Sequence, residues 1–578
     1  MSIVLHGVAA GKGIAVGRAH LIARGIEEVP QYEIAADGIE AEAARFEAAV
    51  KATRKELEHL RSAIPENAPA ELGAFISLHL MLLTDVTLSR EPVDIIEEQS
   101  INAEWALKQQ SDKLAAQFDE IDDAYLRERK QDMLQVVGRI HNNLIGQGNG
   151  LNLDSLPEDT ILIAHDFSPA DTVHFKEKHL CAFATDAGGP TSHTAILGRS
   201  LDIPSVIGLH NARRLLTEGE TVIVDGINGV LIIAPDDLVL AEYRRLEREY
   251  RSHKRGLQKL KKTAATTADG IPIELLANIE SAEDIKALHN LGADGVGLFR
   301  SEFLYLNRDT MPSEDEQYEV YAAIVKKLKG KPLTIRTVDL GVDKNPRWFG
   351  QNATPNGSLN PALGLTGIRL CLAEPVMFRT QMSAILRAAA HGPVKMMWPM
   401  ITSLTEVRQC LIHLDTVRRR LEERGEPHGD VKTGCMIEIP AAALNAASIM
   451  KLVDFVSIGT NDLIQYTLSV DRGDDAVSHL YQPGHPAVLK LISHIIKTAD
   501  RMEKSVSLCG EMGGDTAFTR LLLGMGLRRF SMNPNNLLAV KDIILHSDTA
   551  ALAGETAKIL RNEDPEKTEK LLKKLNKP

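Results

Sequence analysis

The chain has 578 residues, of which 44% are hydrophobic and 25% charged, enough for several globular domains of ordinary soluble composition. Its formal net charge of −12 argues against nucleic acid or an anionic membrane surface as a partner. The same balance requires a locally basic pocket for any anionic substrate.

The first seven residues have no signal-peptide layout, and no apolar run is long enough to span a membrane, so a cytoplasmic protein is expected. Residues 1–30 are Gly-rich and β-like, with Gly11, Gly13 and Gly17 between short apolar runs. From residue 36 the pattern changes. Ile39, Ala43, Phe46, Val50, Thr53, Leu57, Leu60 and Ile64 recur at spacings of four and three, which predicts a long helix ending at Pro65. Further helical segments are read at 71–84, 102–127 and 129–144. Four helices with short joins predict an antiparallel bundle, residues 36–147, inserted into the first domain. From the stripe alone such a bundle is structural by default.

Short β-like runs return at 160–164, 180–184, 221–224 and 229–232. Residues 1–35 and 148–236 are therefore read as one α/β domain. It carries Gly188-Gly189-Pro190-Thr191-Ser192-His193-Thr194-Ala195. The glycines permit a tight turn and close approach of a ligand. Thr191 and Ser192 are N-cap residues before an apolar helix start. His193 thus lies at a helix N-terminus, where free N–H groups and the dipole favour an anion. A histidine there can carry a phosphoryl group; the competing reading is a capping loop with an incidental histidine. Residues 238–262 read as a charged connecting helix and 264–269 as a small polar linker, so 237–266 is taken as the connection.

Residues 267–578 alternate strand-like and helical runs. The strand-like ones are 272–279, 295–300, 333–339, 394–400, 434–439, 454–459, 505–509 and 528–532. This is the rhythm of a (β/α)8 TIM barrel, with an open doubly wound sheet as the competing architecture. In a barrel, chemistry sits at the C-terminal ends of the strands. Those ends carry Arg300, Arg336, Glu438, Asn461, Asp462 and Cys509, with Arg472 in a following loop. Arginine forks match phosphate and carboxylate. Glu438 and Asp462 are hard oxygen donors, and one or two carboxylates with substrate oxygens and water is how Mg²⁺ is held. Cys509 is a thiol able to move a proton, or else a small buried hydrophobe. Any one of these charges alone reads as a surface salt bridge; their grouping at strand ends does not. The five cysteines, Cys181, Cys371, Cys410, Cys435 and Cys509, are scattered without a CxxC pair, which suits a reducing cytosol.

Two motifs carry a resemblance over essentially the full length. Asp186-Ala187-Gly188-Gly189-Pro190-Thr191-Ser192-His193 resembles the phosphohistidine signature of the Enzyme I family of the bacterial sugar phosphotransferase system. Asp454-Phe455-Val456-Ser457-Ile458-Gly459-Thr460-Asn461-Asp462-Leu463-Ile464-Gln465-Tyr466 resembles that family's barrel signature. The resemblance implies an α/β phosphohistidine domain with a helical insert that docks the carrier protein HPr, then a TIM barrel that binds phosphoenolpyruvate and forms a homodimer. It implies His193 as the phosphorylated residue. Arg300, Arg336 and Arg472 would hold the substrate's phosphate and carboxylate, with Asn461 and Asp462 beside them. Glu438 and Asp462 would bind Mg²⁺, and Cys509 would protonate the enolate that becomes pyruvate. The histidine domain would swing about the connecting segment.

Two positions depart from the family pattern. Thr366 stands where the family has an arginine in Asn360-Pro361-Ala362-Leu363-Gly364-Leu365-Thr366-Gly367-Ile368-Arg369, and Pro190 stands where some relatives have arginine. Related enzymes that couple phosphoenolpyruvate to ATP need a nucleotide-binding domain, and no Walker-type loop is present in the sequence. The nitrogen-related branch adds an N-terminal sensory domain, so the general form is expected. A phospho-carrier that signals through its phosphorylation state is the alternative class, motivated by Thr366.

Overall fold

The structure is a computed structural model that describes residues 2–22, 29–63, 70–119, 124–146, 156–157, 159–167, 180–189, 194–195, 198, 203–306, 308, 310–340, 361–471 and 477–577. The chain divides into two compact units, Met1–Ser252 and His253–Pro578.

In the first unit, strands β1 (Ile3–His6), β2 (Val8–Gly11), β3 (Ile14–Leu21), β4 (Thr160–Ala164), β5 (Ala182–Thr185), β6 (Ser205–Ile207), β7 (Thr221–Asp225) and β8 (Val230–Ile233) form one sheet. Its order is β1-β8-β7-β3-β4-β5-β6-β2. The central strands β3 to β6 run parallel, and antiparallel pairs flank them. β4 and β5 are buried throughout because apolar clusters cover both faces of the sheet. β6, only three residues long, gives no periodic signal and is absent from the sequence reading.

Parallel strands cannot be joined by a tight turn, so β3 and β4 require a long crossover. The helical insert is that crossover. It comprises helices Ile39–Ala63, Ala70–Leu82, Val86–Ser89, Glu91–Gln99, Ala103–Asp119 and Ala124–Leu144. The stripe read from the sequence is its core: Ala43, Phe46, Val50, Thr53 and Leu57 are buried. Ile64, the last residue of that stripe, lies outside the described residues.

The insert is more than four helices. The stretch read as a join contains Val86–Ser89, capped by the Asp85 carboxylate accepting from Thr87 N at 2.9 Å, and Glu91–Gln99, with Pro92 in its first turn. Both are too short to build a readable stripe, yet Leu88, Val93 and Ile96 enter the core. The helix expected to run to 127 is described over Ala103–Asp119 and the next over Ala124–Leu144, with 120–123 outside the described residues.

The connecting helix is Asp237–Gln258, followed by a 3₁₀ turn Lys259–Lys262. Val239, Tyr243 and Leu246 pack on the first unit's sheet, and Leu257 and Leu260 on the second unit's core. The stretch 264–269, read as a linker, is hydrogen-bonded into the second unit. Ala268 N donates to Ser547 O at 2.8 Å, and Thr549 Oγ1 donates to Asp269 Oδ2 at 2.5 Å.

The second unit is a closed barrel of parallel strands: β9 (Glu274–Ile279), β10 (Gly295–Arg300), β11 (Leu333–Arg336), β12 (Val394–Trp398), β13 (Lys432–Ile437), β14 (Phe455–Ile458), β15 (Ser505–Leu508) and β16 (Arg529–Met532). β16 pairs with β9 from Arg529↔Glu274 to Met532↔Ala277, which closes the ring. This decides for the barrel over the open sheet, since closure leaves no edge strand. Leu298, Met397, Met436, Phe455 and Cys509 form an apolar cluster of their own.

Candidate functional site

Arg300, Arg336, Glu438, Asn461, Asp462 and Cys509 all fall at the C-terminal ends of barrel strands. Arg300 and Arg336 are the last residues of β10 and β11. Glu438 follows β13 and Cys509 follows β15. Asn461 and Asp462 lie in the first turn of helix Thr460–Leu468, which Gly459 joins to the end of β14.

Arg336 is the most constrained of them. Its Nη2 donates to Glu302 Oε1 at 3.1 Å, and its Nη1 lies 2.8 Å from Asp339 Oδ2. Burial works against its charge, but Glu302, Asp339, Glu438 and Asp462 outweigh it and keep the guanidinium protonated. Glu302 Oε1 also accepts from Asp339 N at 2.9 Å, tying the turn after β11 to the end of β10. A second support comes from helix Pro375–Ala389. There the fully buried Gln381 accepts from Val338 N at 2.9 Å and donates to Ser301 Oγ at 2.9 Å. Sequence reading gave Glu302, Asp339 and Gln381 no role. The first two lie beside the arginines, but their pairing is a tertiary fact, and Gln381 has no local signal at all.

Glu438 is fully buried. Its Oε1 accepts from Met400 N at 2.6 Å, and its Oε2 has no hydrogen-bond partner. Burial, with Asp462 and Asp339 nearby, pushes its carboxyl well above the usual range, and Arg336 only partly opposes this. Gly459 makes room for it: a Cβ there would lie 2.7 Å from Glu438 Oε2. Arg336 Nε, Thr337 Oγ1 and Thr460 Oγ1 are likewise buried without partners. Buried polar atoms are nearly always paired. Four such orphans gather at the ends of β11, β13 and β14, leaving polar capacity there that a ligand can take up. Among the described residues no group of three or more His, Cys, Asp and Glu is arranged to hold a metal ion.

Cys509 is 3% exposed, with its Sγ 3.6 Å from Ile458 O. Burial pushes its thiol up to about 11, against the pull of a Ser457 hydrogen bond and of Arg336 and Arg300. The group is thus a neutral thiol near neutrality, an acid with a proton to give. Behind it, Asn278 Nδ2 donates to Cys509 O at 2.8 Å. Asn461 Oδ1 accepts from Glu511 N at 2.9 Å, joining the ends of β14 and β15.

Arg300 is more open, and its Nη1 donates to Glu280 Oε1 at 2.5 Å. Thr366 is buried, and the nearby Arg369 Nη1 donates to Leu363 O at 3.1 Å and Gly364 O at 3.4 Å. Arg472 and Asn360 lie outside the described residues. A cavity of about 420 Å³ lined by Glu274, Asp294, Arg528 and Arg529 lies at the strand starts, away from this group.

In the first unit Pro190, Thr191, Ser192 and His193 lie outside the described residues. What flanks them is ordered by hydrogen bonds. Gly188 has φ +110°, a conformation that favours glycine. Asp186 is buried, accepts from Ala212 N at 2.6 Å and pairs with Arg213 Nε at 2.9 Å. Thr194, in a helical conformation, donates from Oγ1 to Asp166 Oδ1 at 2.6 Å.

Comparison with known proteins adds to this geometry. Three sequence profiles match the chain. They are "PEP-utilising enzyme, N-terminal" over 6–129, "PEP-utilising enzyme, mobile domain" over 156–229 and "PEP-utilising enzyme, PEP-binding domain" over 254–549. The chain is 47% identical to the phosphoenolpyruvate-protein phosphotransferase of Cupriavidus necator, over 100% of both chains. It belongs to the phosphoenolpyruvate-protein phosphotransferase, or Enzyme I, family. Other members are more distant: that of Geobacillus stearothermophilus is 40% identical over 93% of this chain and 92% of its own. That of Bacillus subtilis is 39% identical over 93% of each. The mobile-domain profile covers position 193, and the PEP-binding profile covers the strand ends of the barrel.

Proposed function

We propose that this chain moves the phosphoryl group of phosphoenolpyruvate to its own histidine and then to a histidine of HPr, releasing pyruvate, as the first step of the sugar phosphotransferase system. The full-length match to the Cupriavidus necator enzyme carries the activity. The roles of individual residues are supported by the chemistry of the barrel mouth.

Phosphoryl transfer needs positioning and charge stabilisation more than covalent help. Arg300, Arg336 and Arg472 are assigned to the phosphate and carboxylate of the substrate, with Asn461 and Asp462 beside them. His193 attacks phosphorus through a ring nitrogen, and the bond from phosphorus to the enol oxygen breaks. The electron pair left on the enolate takes a proton at carbon from Cys509 Sγ, giving the methyl group of pyruvate. A neutral thiol suits that step.

Glu438 and Asp462 are the residues that would hold Mg²⁺. The orphaned buried Oε2 of Glu438 fits a cation, and one or two carboxylates with substrate oxygens and water is how Mg²⁺ is held. When bound, Mg²⁺ neutralises charge on the transferring group.

The acceptor histidine and the donor site lie in different units of the chain. We assign a swing between them to the connecting helix, and docking of HPr to the helical insert, as the resemblance to the family implies. The domain limits assigned are 1–35 with 148–236, 36–147, 237–266 and 267–578. Homodimerisation through the barrel and a cytoplasmic location complete the reading. No helix among the described residues is long and apolar enough to cross a membrane. The test is incubation with phosphoenolpyruvate, Mg²⁺ and HPr. Pyruvate release with phosphorylated HPr is expected. Phosphorylation that stops on the chain would favour a signalling carrier, and none at all would overturn both readings.

A further inference from the structure

We propose that Glu280 sets the affinity of the barrel mouth for phosphoenolpyruvate by occupying Arg300 with a carboxylate that the substrate must replace. The proposal rests on the reading of Arg300 as a substrate-holding residue. β9 and β10 pair in parallel with Phe299 opposite Ile279, so the next residues, Arg300 and Glu280, leave the barrel side by side. Arg300 Nη1 donates to Glu280 Oε1, and among the described residues this is the partner of the Glu280 carboxylate. The backbone beneath is fixed, because Asp284 Oδ2 accepts from both Glu280 N at 3.0 Å and Ser281 N at 2.9 Å. The side chain above is 65% exposed and is free to swing into solvent.

Arg336 is the contrast. Its partners Glu302 and Asp339 are 11% and 14% exposed, and Glu302 is also bound to Asp339 N, so they stay in place. One arginine of the mouth is therefore permanently braced, and the other is held by a movable group. The Glu280 carboxylate presents to the guanidinium the same acceptor pair that the substrate's own carboxylate presents. Substrate binding exchanges one for the other. The negative charge of Glu280 at the rim also repels an anionic substrate within the screening length of about 8 Å at physiological salt. Both effects lower apparent affinity. An exposed ion pair is weak, which keeps the exchange easy and the effect modest.

The experiment is steady-state kinetics of full-length protein with phosphoenolpyruvate, Mg²⁺ and HPr. In Glu280→Gln the KM for phosphoenolpyruvate should fall about two- to fivefold with kcat unchanged, and the gap should narrow as salt rises. Glu423→Gln, which removes an equal charge from an exposed outer-helix position, should leave KM where it was. Arg300→Ala should raise KM, and adding Glu280→Gln to it should lower KM by clearly less than Glu280→Gln does alone, the remainder being the charge repulsion that does not need Arg300. If Glu280→Gln leaves KM unchanged or higher while Arg300→Ala raises it, the proposal fails and Arg300 remains a substrate residue. If Glu280→Gln lowers KM equally in the Arg300→Ala background, the effect does not pass through Arg300 and the proposal also fails. If Arg300→Ala leaves KM unchanged, the reading of Arg300 fails and the proposal with it.

Discussion

Burial is the largest cause that shifts both Cys509 and Glu438 upward at the barrel mouth, and the two shifts have opposite chemical uses. Burial keeps Cys509 protonated, with its thiol pushed up to about 11. An acid is active below its pKa, so the thiol's contribution to turnover should be flat across neutral pH and decline only as pH approaches 11. A pH–rate profile checks this, and an alkaline decline from Cys509 near pH 8 would contradict it. Cys509→Ala should lower kcat for pyruvate formation by about 10²- to 10⁴-fold with KM little changed. Glu438 is also pushed towards its neutral form, by burial first and by Asp462 and Asp339 next. A cation needs the carboxylate, so protons compete with metal. Mg²⁺ affinity should therefore weaken as pH falls, which isothermal titration at several pH values measures.

At the scale of elements, the junction of β14 with helix Thr460–Leu468 decides whether Glu438 is available. A methyl group on Gly459 would lie 2.7 Å from Glu438 Oε2 and 3.0 Å from Glu438 Cβ. Gly459 has φ −89°, so alanine there meets no backbone strain and the clash is the whole effect. Gly459→Ala should raise the Mg²⁺ concentration needed for half-maximal activity about ten- to a hundredfold while the protein stays folded. The turn after β11 depends on Glu302 in the same way. Glu302→Ala leaves a buried guanidinium short of a partner, and loss of about 3 kcal/mol in urea unfolding of the barrel is expected. How legible these elements were in the sequence follows from their length and range. The stripe from Ala43 to Leu57 was readable because a long helix repeats its burial pattern many times. Helix Glu91–Gln99 and strand β6 were not, since neither repeats its pattern enough to show. Arg336 was readable as a strand-end cation. Its brace by Gln381 was not, because that residue acts through Ser301, 80 positions away in the chain.

For the whole molecule, His193, the proposed phosphoryl acceptor, and the proposed donor site belong to units with separate hydrophobic cores. His193→Ala should therefore abolish phosphorylation of the chain and of HPr, yet leave phosphoenolpyruvate binding and the unfolding transition of the barrel unchanged. Calorimetry of binding and of unfolding reads both. A weakened barrel in that variant would mean the two units are not independent in this respect. The sequence by itself determined the domain order, the barrel rhythm, and the residue types at the strand ends. Each of these is written in local periodicity or in a contiguous motif. Only the tertiary structure decided that the barrel closes and that Arg336 is braced by Glu302, Asp339 and, indirectly, Gln381. It also decided that Glu438 keeps one buried oxygen unpaired, and that Arg300 rests on Glu280. Those facts depend on contacts between strands and helices remote in the chain, where no local pattern records which side chain will meet which.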